Sequence, residues 1–387
     1  MNKYTSDTFN FRTTFFALIA FCFAFLLACE TPEKVLKSND LEYKKAKAIF
    51  WYNKKEYVKC IPVMEELIGL LKGRQSTEDL YYMYANANFK QGDYMISAYH
   101  FKNYYDLYSS SDKAEEALFM QAKSLQNLTS KPDLDQTYTF KAIEAYQLFL
   151  NSYPGSHFIE ESNTAMAELR RKLEKKALQG AELYFKTSNY KAAATCYTNI
   201  LKDFPDIQES EKVSFMIVKS GFRYAQNSTP EKKAERFNIL IKNYYDFQYK
   251  FGSSKFLQEA KKYEEQAHYL AVQSAFQWAE ISPLADREKH FASFFREAER
   301  HKSYIAADSK TAEKIAEWVE KGYFLVLKSN FELSEARKST LKVPALEQTL
   351  KTYYTFVDQF PKSRFIKEAE RIYNESSEQL KKLKNNG

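Results

Sequence analysis

Cys29 is the residue whose type and position most directly indicate chemistry. It ends the run LLAC and follows an apolar stretch, residues 15–27, which Lys3 and Arg12 precede. This stretch is shorter than the roughly 20 residues of a membrane-spanning helix and is typical of the core of a signal peptide. A small residue followed by cysteine at such a position is typical of a bacterial lipobox, in which the thiol receives a diacylglycerol thioether and the freed amine can receive a further acyl chain.

Two or more acyl chains anchor a protein stably, whereas one chain gives only marginal binding. We therefore expect residues 1–28 to be removed as a lipoprotein signal peptide and Cys29 to carry the lipid that tethers the exported chain to a membrane. A secretory signal with an incidental cysteine is the alternative. Cys60 and Cys196 remain in the mature chain, and we expect them to be small buried apolar residues rather than a disulfide.

Charge and composition limit the other functions. The 57 basic and 50 acidic residues are interleaved, which is typical of solvated helix surfaces, so we expect no nucleic-acid partner. Only nine residues are glycine, whereas 29 are tyrosine and 31 are phenylalanine. Because sheets and tight hairpins usually need more glycine, the composition predicts an all-α chain.

A repeated pattern supports helices that are arranged in pairs. An apolar residue, three further residues and then Phe or Tyr precede Pro, Gly or Ser, at intervals of roughly 50 residues in most cases. The copies begin at Tyr104, Phe149, Ile200, Phe247 and Phe356. We interpret each copy as the end of one helix, with serine as the cap of the next. Helix pairs that repeat at this spacing stack into a solenoid, because no single pair can bury its apolar face alone.

Joints within the pairs are also visible. Gly92 precedes Asp93-Tyr94, and similar joints precede Tyr57 and Tyr190, each followed three residues later by a small residue: Cys60, Ser97 or Ala193. These joints resemble the tetratricopeptide repeat, in which a small residue lets two helices approach closely. We predict a tether at 29–40, a tetratricopeptide-like domain at 41–282 that ends in a helix pair at 254–280, and a helical extension at 283–387.

Motifs of catalysis are not found in the sequence. The five histidines are scattered, none lies three or four residues from another, and no glycine-rich phosphate loop or nucleophile motif is present. Neighbouring carboxylates such as Glu264-Glu265 are interpreted as exposed helix residues. We expect a protein that is not an enzyme and that has no cofactor apart from the lipid at Cys29.

A long segment, residues 127–139, interrupts the repeats and is rich in residues that cap helices. We interpret it as an extended cap of the next helix, with a binding loop as the alternative. Together with the lipobox, the motif DLDQTYT at 133–139 and the segments that end in Tyr153-Pro154 and Phe204-Pro205 resemble the BamD family, the lipoproteins of the β-barrel assembly machine. The resemblance spans roughly residues 29–275 and does not cover the extension.

The resemblance implies a lipoprotein on the periplasmic side of the outer membrane with five tetratricopeptide-like units. It also implies contact with the periplasmic domains of the barrel protein BamA, other envelope-assembly subunits and unfolded outer-membrane polypeptides. A general periplasmic scaffold, for example for cell-wall enzymes, and a surface nutrient-binding lipoprotein are the alternatives.

Two sets of candidate binding residues follow from this resemblance. First helices line the inner surface of tetratricopeptide stacks, so a peptide groove near the N-terminus would include Tyr82, Asn86, Phe89 and Lys90. The later repeats, roughly residues 180–275, would contact the barrel protein, and the candidate residues there are Arg223, Tyr224, Lys242 and Tyr245.

Overall fold

The computed structural model of the chain describes residues 31–71, 77–307 and 309–385. The predicted signal peptide and Cys29 lie outside these residues. Within them the chain forms sixteen α-helices and one short 3-10 helix, and no β-strand. The predicted all-α class, with helical repeats of the solenoid type, is confirmed. The chain divides into two compact units, and the division falls between Lys176 and Ala177, within a long helix.

The first unit contains seven helices and most of an eighth. They are α1 (Pro32–Leu36), α2 (Leu41–Asn53), α3 (Tyr57–Leu70), α4 (Glu78–Gln91), α5 (Tyr94–Leu107), α6 (Ala114–Asn127), α7 (Thr137–Ser152) and α8 (Ile159–Lys186). Consecutive helices pack on one another from α2 to α7. Helix α1 lies inside the predicted tether, and its Val35 is fully buried in the core cluster that contains Trp51 and Met64. Part of this segment therefore belongs to the fold.

The second unit contains the end of α8 and eight further helices. They are α9 (Tyr190–Asp203), α10 (Ser210–Gln226), α11 (Pro230–Lys250), α12 (Leu257–Ile281), α13 (Leu284–His301), α14 (Lys310–Glu335), α15 (Ser339–Gln359) and α16 (Ile366–Asn385). The prediction of a helix pair at 254–280 is wrong, because α12 is one uninterrupted helix. No Gly or Pro lies within it to end a first helix. The domain boundaries at 40 and 282 stay a prediction.

The predicted joints are built alike in three pairs. Gly92 has φ +93° and ends α4 in the left-handed conformation, as expected for glycine at this position. Lys55 and Ser188 occupy the same place with φ of +61° and +62°. Cys60, Ser97 and Ala193, the small residues after the joints, are each fully buried. Their predicted role in close helix packing is confirmed.

The turns between pairs also repeat. In four of them a serine hydroxyl accepts a hydrogen bond from the backbone N–H two residues later, as with Ser156 and Phe158 at 3.0 Å. The helix begins further along the chain, so the serine caps the turn rather than the helix itself. In three turns the same hydroxyl also donates to a glutamate on an earlier helix: Ser111 to Glu78, Ser254 to Glu211 and Ser363 to Glu320.

Stacked phenylalanines reinforce these turns. The ring two residues after the serine stacks on a ring of the earlier helix in three pairs: Phe119–Phe158 at 4.2 Å, Phe215–Phe256 at 4.7 Å and Phe324–Phe365 at 4.5 Å between centroids. Each such pair contributes roughly 0.5–1.5 kcal/mol beyond the burial of its area. The turns are thereby fixed on the helices before them.

The cysteines agree with the expectation of free thiols, but the expected burial holds for Cys60 and not for Cys196, which is only partly buried in α9. Cys60 and Cys196 are both free thiols. Cys60 is fully buried in α3, where burial raises the pKa of its thiol to about 12. It therefore packs as a small apolar residue.

Candidate interaction surfaces

The predicted peptide groove lies on a face that first helices of successive pairs share. The Asn86 side chain on α4 donates a hydrogen bond to the hydroxyl of Tyr52 on α2 at 2.6 Å. On the α6 side, the Lys113 ammonium lies 5.3 Å from the centroid of the Tyr82 ring. Burial and a hydrogen bond with Glu116 raise the pKa of Tyr82. Helices α2, α4 and α6 therefore form this face together.

The four groove candidates differ in accessibility. Tyr82 is only 9% exposed and packs edge to face on Phe101 and Tyr104, so its ring belongs mainly to the core. Phe89 is half-buried against Tyr94 at 5.4 Å between centroids, whereas Lys90 is exposed. Asn86 and Lys90 are the members that a peptide can reach, and their role stays a prediction.

A cavity of about 480 Å³ lies between α3, α4 and α5, and sequence analysis did not find it. His100 is one of the residues that line it, with its Nδ1 3.1 Å from the hydroxyl of Tyr81 and its ring 4.7 Å from that of Tyr84. Burial lowers the pKa of His100, so the ring is neutral at pH 7. Tyr81 and Tyr84 are three residues apart and so share one face of α4, and this spacing is the feature of the sequence that could have indicated the cavity.

The structure does not place the four later-repeat candidates on one surface. Arg223 and Lys242 are exposed on α10 and α11. Tyr224 lies under the guanidinium of Arg236, 4.0 Å from its carbon to the ring centroid. Tyr245 is 39% exposed and donates a hydrogen bond to Glu264 on α12 at 2.9 Å. The two tyrosines thus contact different neighbours, and Arg223 and Lys242 remain as the freely accessible charges.

Tyr224 and Arg236 lie at the edge of a second cavity, of about 410 Å³, between α9, α10 and α11. Its α9 side includes Lys191 and Asn199, and its α11 side includes Arg236 and Asn243. No carboxylate lines it among the residues that the structure describes. The cavity is therefore positively charged.

A buried polar cluster, which we call the Glu–His quartet, joins α12 and α13. It consists of Glu264, His268, Glu297 and His301. The Nδ1 atoms of the two histidines are 2.8 Å apart, a distance at which one nitrogen must carry the proton. His268 Nε2 lies 2.9 Å from Glu264 Oε1, and His301 Nε2 lies 3.3 Å from Glu297 Oε2.

Partners outside the quartet hold its carboxylates. Asn238 donates to Glu297 at 2.8 Å, and Arg300 donates to the other oxygen of that carboxylate at 2.8 Å. The interpretation of Glu264 as an exposed residue is wrong, because it is 7% exposed and paired with His268. A glutamate four residues before a histidine on two consecutive helices was the signal that could have revealed the cluster.

The segment between α6 and α7 is held by hydrogen bonds. The Gln136 amide donates to the carbonyl oxygens of Lys131 and Leu134, at 2.7 and 3.1 Å. The side chain of Asp135 accepts from the backbone N–H of Thr137, the first residue of α7, at 3.0 Å. These bonds support the interpretation of the segment as an extended cap.

Two kinds of site are absent from the described residues: a metal-binding cluster and a membrane-spanning helix. In the described part of the chain, no three His, Cys, Asp or Glu side chains are grouped so that they could hold a metal ion. No described helix combines the length and the apolar character that crossing a membrane requires.

Comparisons with known proteins give one relative, several solved structures and one family model. A putative outer membrane protein assembly factor BamD from Aquifex aeolicus is 24% identical over 291 residues, which are 74% of this chain and 90% of that protein. Among solved structures, the TPR2AB domain of yeast Sti1 in complex with pHSP90 is 14% identical, with a TM-score of 0.29, over 73% of this chain and 98% of that one. The Naa15/Naa10 structure bound to HypK-THB is 12% identical, with a TM-score of 0.21, over 89% and 67%.

Because these TM-scores are low, the assignment of the fold rests on the helix pairs of this chain and not on the solved structures. The model of the YfiO family, described as an outer membrane lipoprotein, matches residues 38–236, more than half of the sequence. This chain therefore belongs to the YfiO family of outer membrane lipoproteins.

Proposed function

We propose that the chain is a non-catalytic scaffold for the assembly and insertion of β-barrel proteins, anchored in the outer membrane on its periplasmic side. The observation that carries this proposal is the family match over residues 38–236, and the name of the Aquifex relative agrees with it. The lipid on Cys29 supplies the anchor. The lipobox-like run LLAC supports this anchor, since Cys29 itself lies outside the described residues.

The partners are a BamA-like barrel protein, other envelope-assembly subunits and unfolded outer-membrane polypeptides. The polypeptides bind the first-helix face at Asn86 and Lys90, with Phe89 at its edge. The barrel protein contacts the later repeats. The exposed Arg223 supports this docking, because arginine is enriched among the residues that dominate interface energies.

Depletion of the protein in its own cells tests the proposal. We expect the outer membrane to lose many barrel proteins, as quantified by mass spectrometry. Cys29→Ala should release the protein from the outer-membrane fraction, whereas Cys196→Ala should not. Unchanged barrel levels after depletion would contradict the assembly role, and membrane retention of Cys29→Ala after a salt wash would contradict the lipid anchor.

Docking of the barrel protein is tested separately. Within the described part of the chain, the Arg223 side chain makes one hydrogen bond, to Gln226 on its own helix at 3.4 Å, so Arg223→Glu should leave the fold intact. We expect this variant to reduce co-purification of the barrel protein, with Arg171→Glu, also an exposed arginine, as the control. Equal recovery with both variants would place the docking surface elsewhere.

A further inference from the structure

The lipid attachment site and the first helix are close together in the sequence. Cys29, which carries the lipid in the proposed function, precedes Pro32, the first residue of α1, by three residues. Three residues of fully extended chain span at most about 10 Å. Val35 of α1 is fully buried, and α1 packs on both α2 and α3. Helix α1 and the pair α2–α3 therefore stay close to the anchored residue and are not separated from it by a long tether.

The same part of the chain carries much of its excess positive charge. Residues 31–60 contain eight lysines and four acidic residues, a net charge of +4, whereas all 387 residues together carry +7. Lys44 is buried and paired with Glu66 at 2.8 Å, so the other lysines supply the charge at the surface. The connection of at most about 10 Å is comparable to the Debye length of about 8 Å at physiological ionic strength. This positive charge therefore lies within the range of attraction of an anionic lipid surface.

Aromatic rings and lysines alternate along one face of α2. Tyr43, Lys47, Phe50 and Lys54 follow one another at intervals of four, three and four residues, which places them on one side of the helix. The Lys47 ammonium lies 5.9 Å from the centroid of the Tyr43 ring and 5.7 Å from that of the Phe50 ring. The Lys54 ammonium lies 4.4 Å from the centroid of the Phe50 ring. We call these four residues the aromatic–lysine stripe.

Phe50 is the apolar residue of this stripe that faces solvent. Its side chain is 47% exposed, whereas the next residue, Trp51, is 3% exposed and belongs to the same core cluster as Val35 of α1. At a membrane surface, aromatic rings lie at the level of the lipid headgroups. Lysine ammonium groups bind the phosphates there, while their methylene groups cover apolar surface. The stripe therefore has the composition of an interfacial membrane contact.

We propose that the aromatic–lysine stripe lies against the lipid bilayer as a second membrane contact beside the lipid on Cys29. Phe50 enters the headgroup region, and Lys47 and Lys54 bind the phosphates of anionic phospholipids. Two observations favour lipid over a partner protein. The short connection keeps α1 near the bilayer whatever else the protein binds, and the positive charge of this part of the chain complements anionic headgroups.

Such a contact has a consequence that a lipid anchor does not have by itself. Acyl chains on one residue hold the protein at the membrane but leave it free to rotate about the attachment. A stripe of about 16 Å along α2 adds a line of contact, since it spans eleven residues at a rise of 1.5 Å each. The second contact thereby fixes how the first helix pair is oriented on the bilayer. This inference rests on the proposed function for the anchor at Cys29.

The experiment measures vesicle binding of the protein without its lipid. The mature chain, residues 29–387, carries Cys29→Ser and is sedimented with vesicles of phosphatidylethanolamine and phosphatidylglycerol or with vesicles of phosphatidylcholine. We expect at least about tenfold stronger partitioning into the vesicles that contain phosphatidylglycerol at low ionic strength. Added salt should weaken it, because exposed charges are screened. Equal partitioning into the two kinds of vesicle, or no binding to either, would overturn the proposal.

Lysine variants locate the contact. Lys47→Gln and Lys54→Gln should each lower partitioning into the anionic vesicles roughly fivefold, the effect of one lysine near an anionic surface. Lys141→Gln is the matched control, because the Lys141 ammonium has the same kind of ring contact, 5.3 Å from the centroid of Tyr138 on α7. It should leave partitioning unchanged. Equal effects of the three variants would show that total charge and not the stripe determines binding, which would contradict the proposal.

Phenylalanine variants test the apolar part of the contact. Phe50→Ala should lower partitioning into the anionic vesicles roughly fivefold, and this loss should persist in about 0.5 M salt, because apolar burial is not screened. Phe140→Ala on α7 is the control, since Phe140 is 56% exposed and thus at least as accessible as Phe50. Thermal unfolding followed by circular dichroism verifies that both variants are folded. An equal loss for the two variants would contradict insertion of Phe50.

A partner protein is the alternative occupant of the stripe. Unchanged vesicle binding of the Phe50 and Lys54 variants, together with reduced co-purification of the barrel protein, would assign the stripe to a protein and overturn the proposal. Absent vesicle binding would refute this inference alone if Cys29→Ala still releases the protein from the outer-membrane fraction. Stripe-dependent vesicle binding without barrel loss after depletion would refute the assembly role alone.

Discussion

The second unit contains two polar clusters of opposite character, the cavity between α9, α10 and α11 and the Glu–His quartet between α12 and α13. In the quartet both carboxylates have partners from two or more residues, and the histidines face each other at 2.8 Å. In the cavity Lys191, Asn199 and Asn243 border open space. Both clusters lie on helices and both contain charged groups. The two clusters therefore differ in burial and in the number of internal partners, although His301 Nε2 of the quartet is buried without a hydrogen bond.

The largest expected effect is the loss of one member of the quartet. His268→Ala leaves Glu264 buried without its histidine, and we expect the free energy of unfolding of this unit to fall by about 3 kcal/mol. His157→Ala, at a side chain that is 77% exposed, should change it by less than about 0.5 kcal/mol. Hydrogen exchange of the α12 and α13 amides in the intact protein measures both. A loss below about 1 kcal/mol for His268→Ala would remove the distinction between the two clusters.

Acidification should destabilise the quartet. Burial, which outweighs the opposing contact with Glu264, lowers the pKa of His268. Burial by itself would raise the pKa of Glu297, but the nearby His301, Asn238 and Arg300 outweigh it, so the pKa is lowered. Because both groups bind fewer protons when folded, they contribute stability at neutral pH that is lost as pH falls below about 6.5 for the histidine and about 4.5 for the carboxylate.

Urea denaturation of a Trp51→Phe background at pH 7.5 and 5.5 tests this expectation, because the fluorescence of Trp278 and Trp318 then reports on the second unit. The midpoint should be lower at pH 5.5, and His268→Ala should reduce the difference. A midpoint that does not move would show that the quartet does not couple folding to pH.

The smallest effects compare one chemical change at a partnered and an unpartnered asparagine. Asn86→Ala removes a hydrogen bond between α4 and α2 and should cost about 1 kcal/mol, so a peptide-binding defect at this position comes with a lower melting temperature. Asn199→Ala should change stability by less than about 0.5 kcal/mol. Calorimetry measures both. A similar loss at the two positions would mean that Asn199 has a structural partner after all.

Local signals in the sequence predicted local structure. The joint at Gly92 was predictable because glycine tolerates the left-handed conformation that ends α4, and the serine in each turn indicated a cap. The same joint at Lys55 and Ser188 has no glycine. It was recognised from Tyr57 and Tyr190, which follow it as Tyr94 follows Gly92. The helix pair expected at 254–280 came from the repeat period, although no breaker residue required it.

Long-range partners were not predictable in this way. Glu211 binds the hydroxyl of Ser254, 43 residues later in the chain, and nothing in either segment alone indicates this. His268 and His301 meet only because α12 and α13 fold back on each other around Pro283. Lys191 likewise has no carboxylate beside it among the described residues that line its cavity, and this too depends on how the helices pack. Such facts depend on packing, which periodicity does not determine.

The three left-handed joints have a consequence for motion. In each, the backbone N–H just after the left-handed residue donates to a carbonyl five residues earlier at 2.9 Å: Glu56 to Trp51, Asp93 to Asn88 and Asn189 to Tyr184. These amide protons exchange with solvent only when the joint itself opens. The backbone amides of these surface turns are thus hydrogen-bonded like those of the helices that the turns connect. We therefore expect each pair, α2–α3, α4–α5 and α8–α9, to move as one hairpin, with slower amide exchange at Glu56, Asp93 and Asn189 than in the turns between pairs.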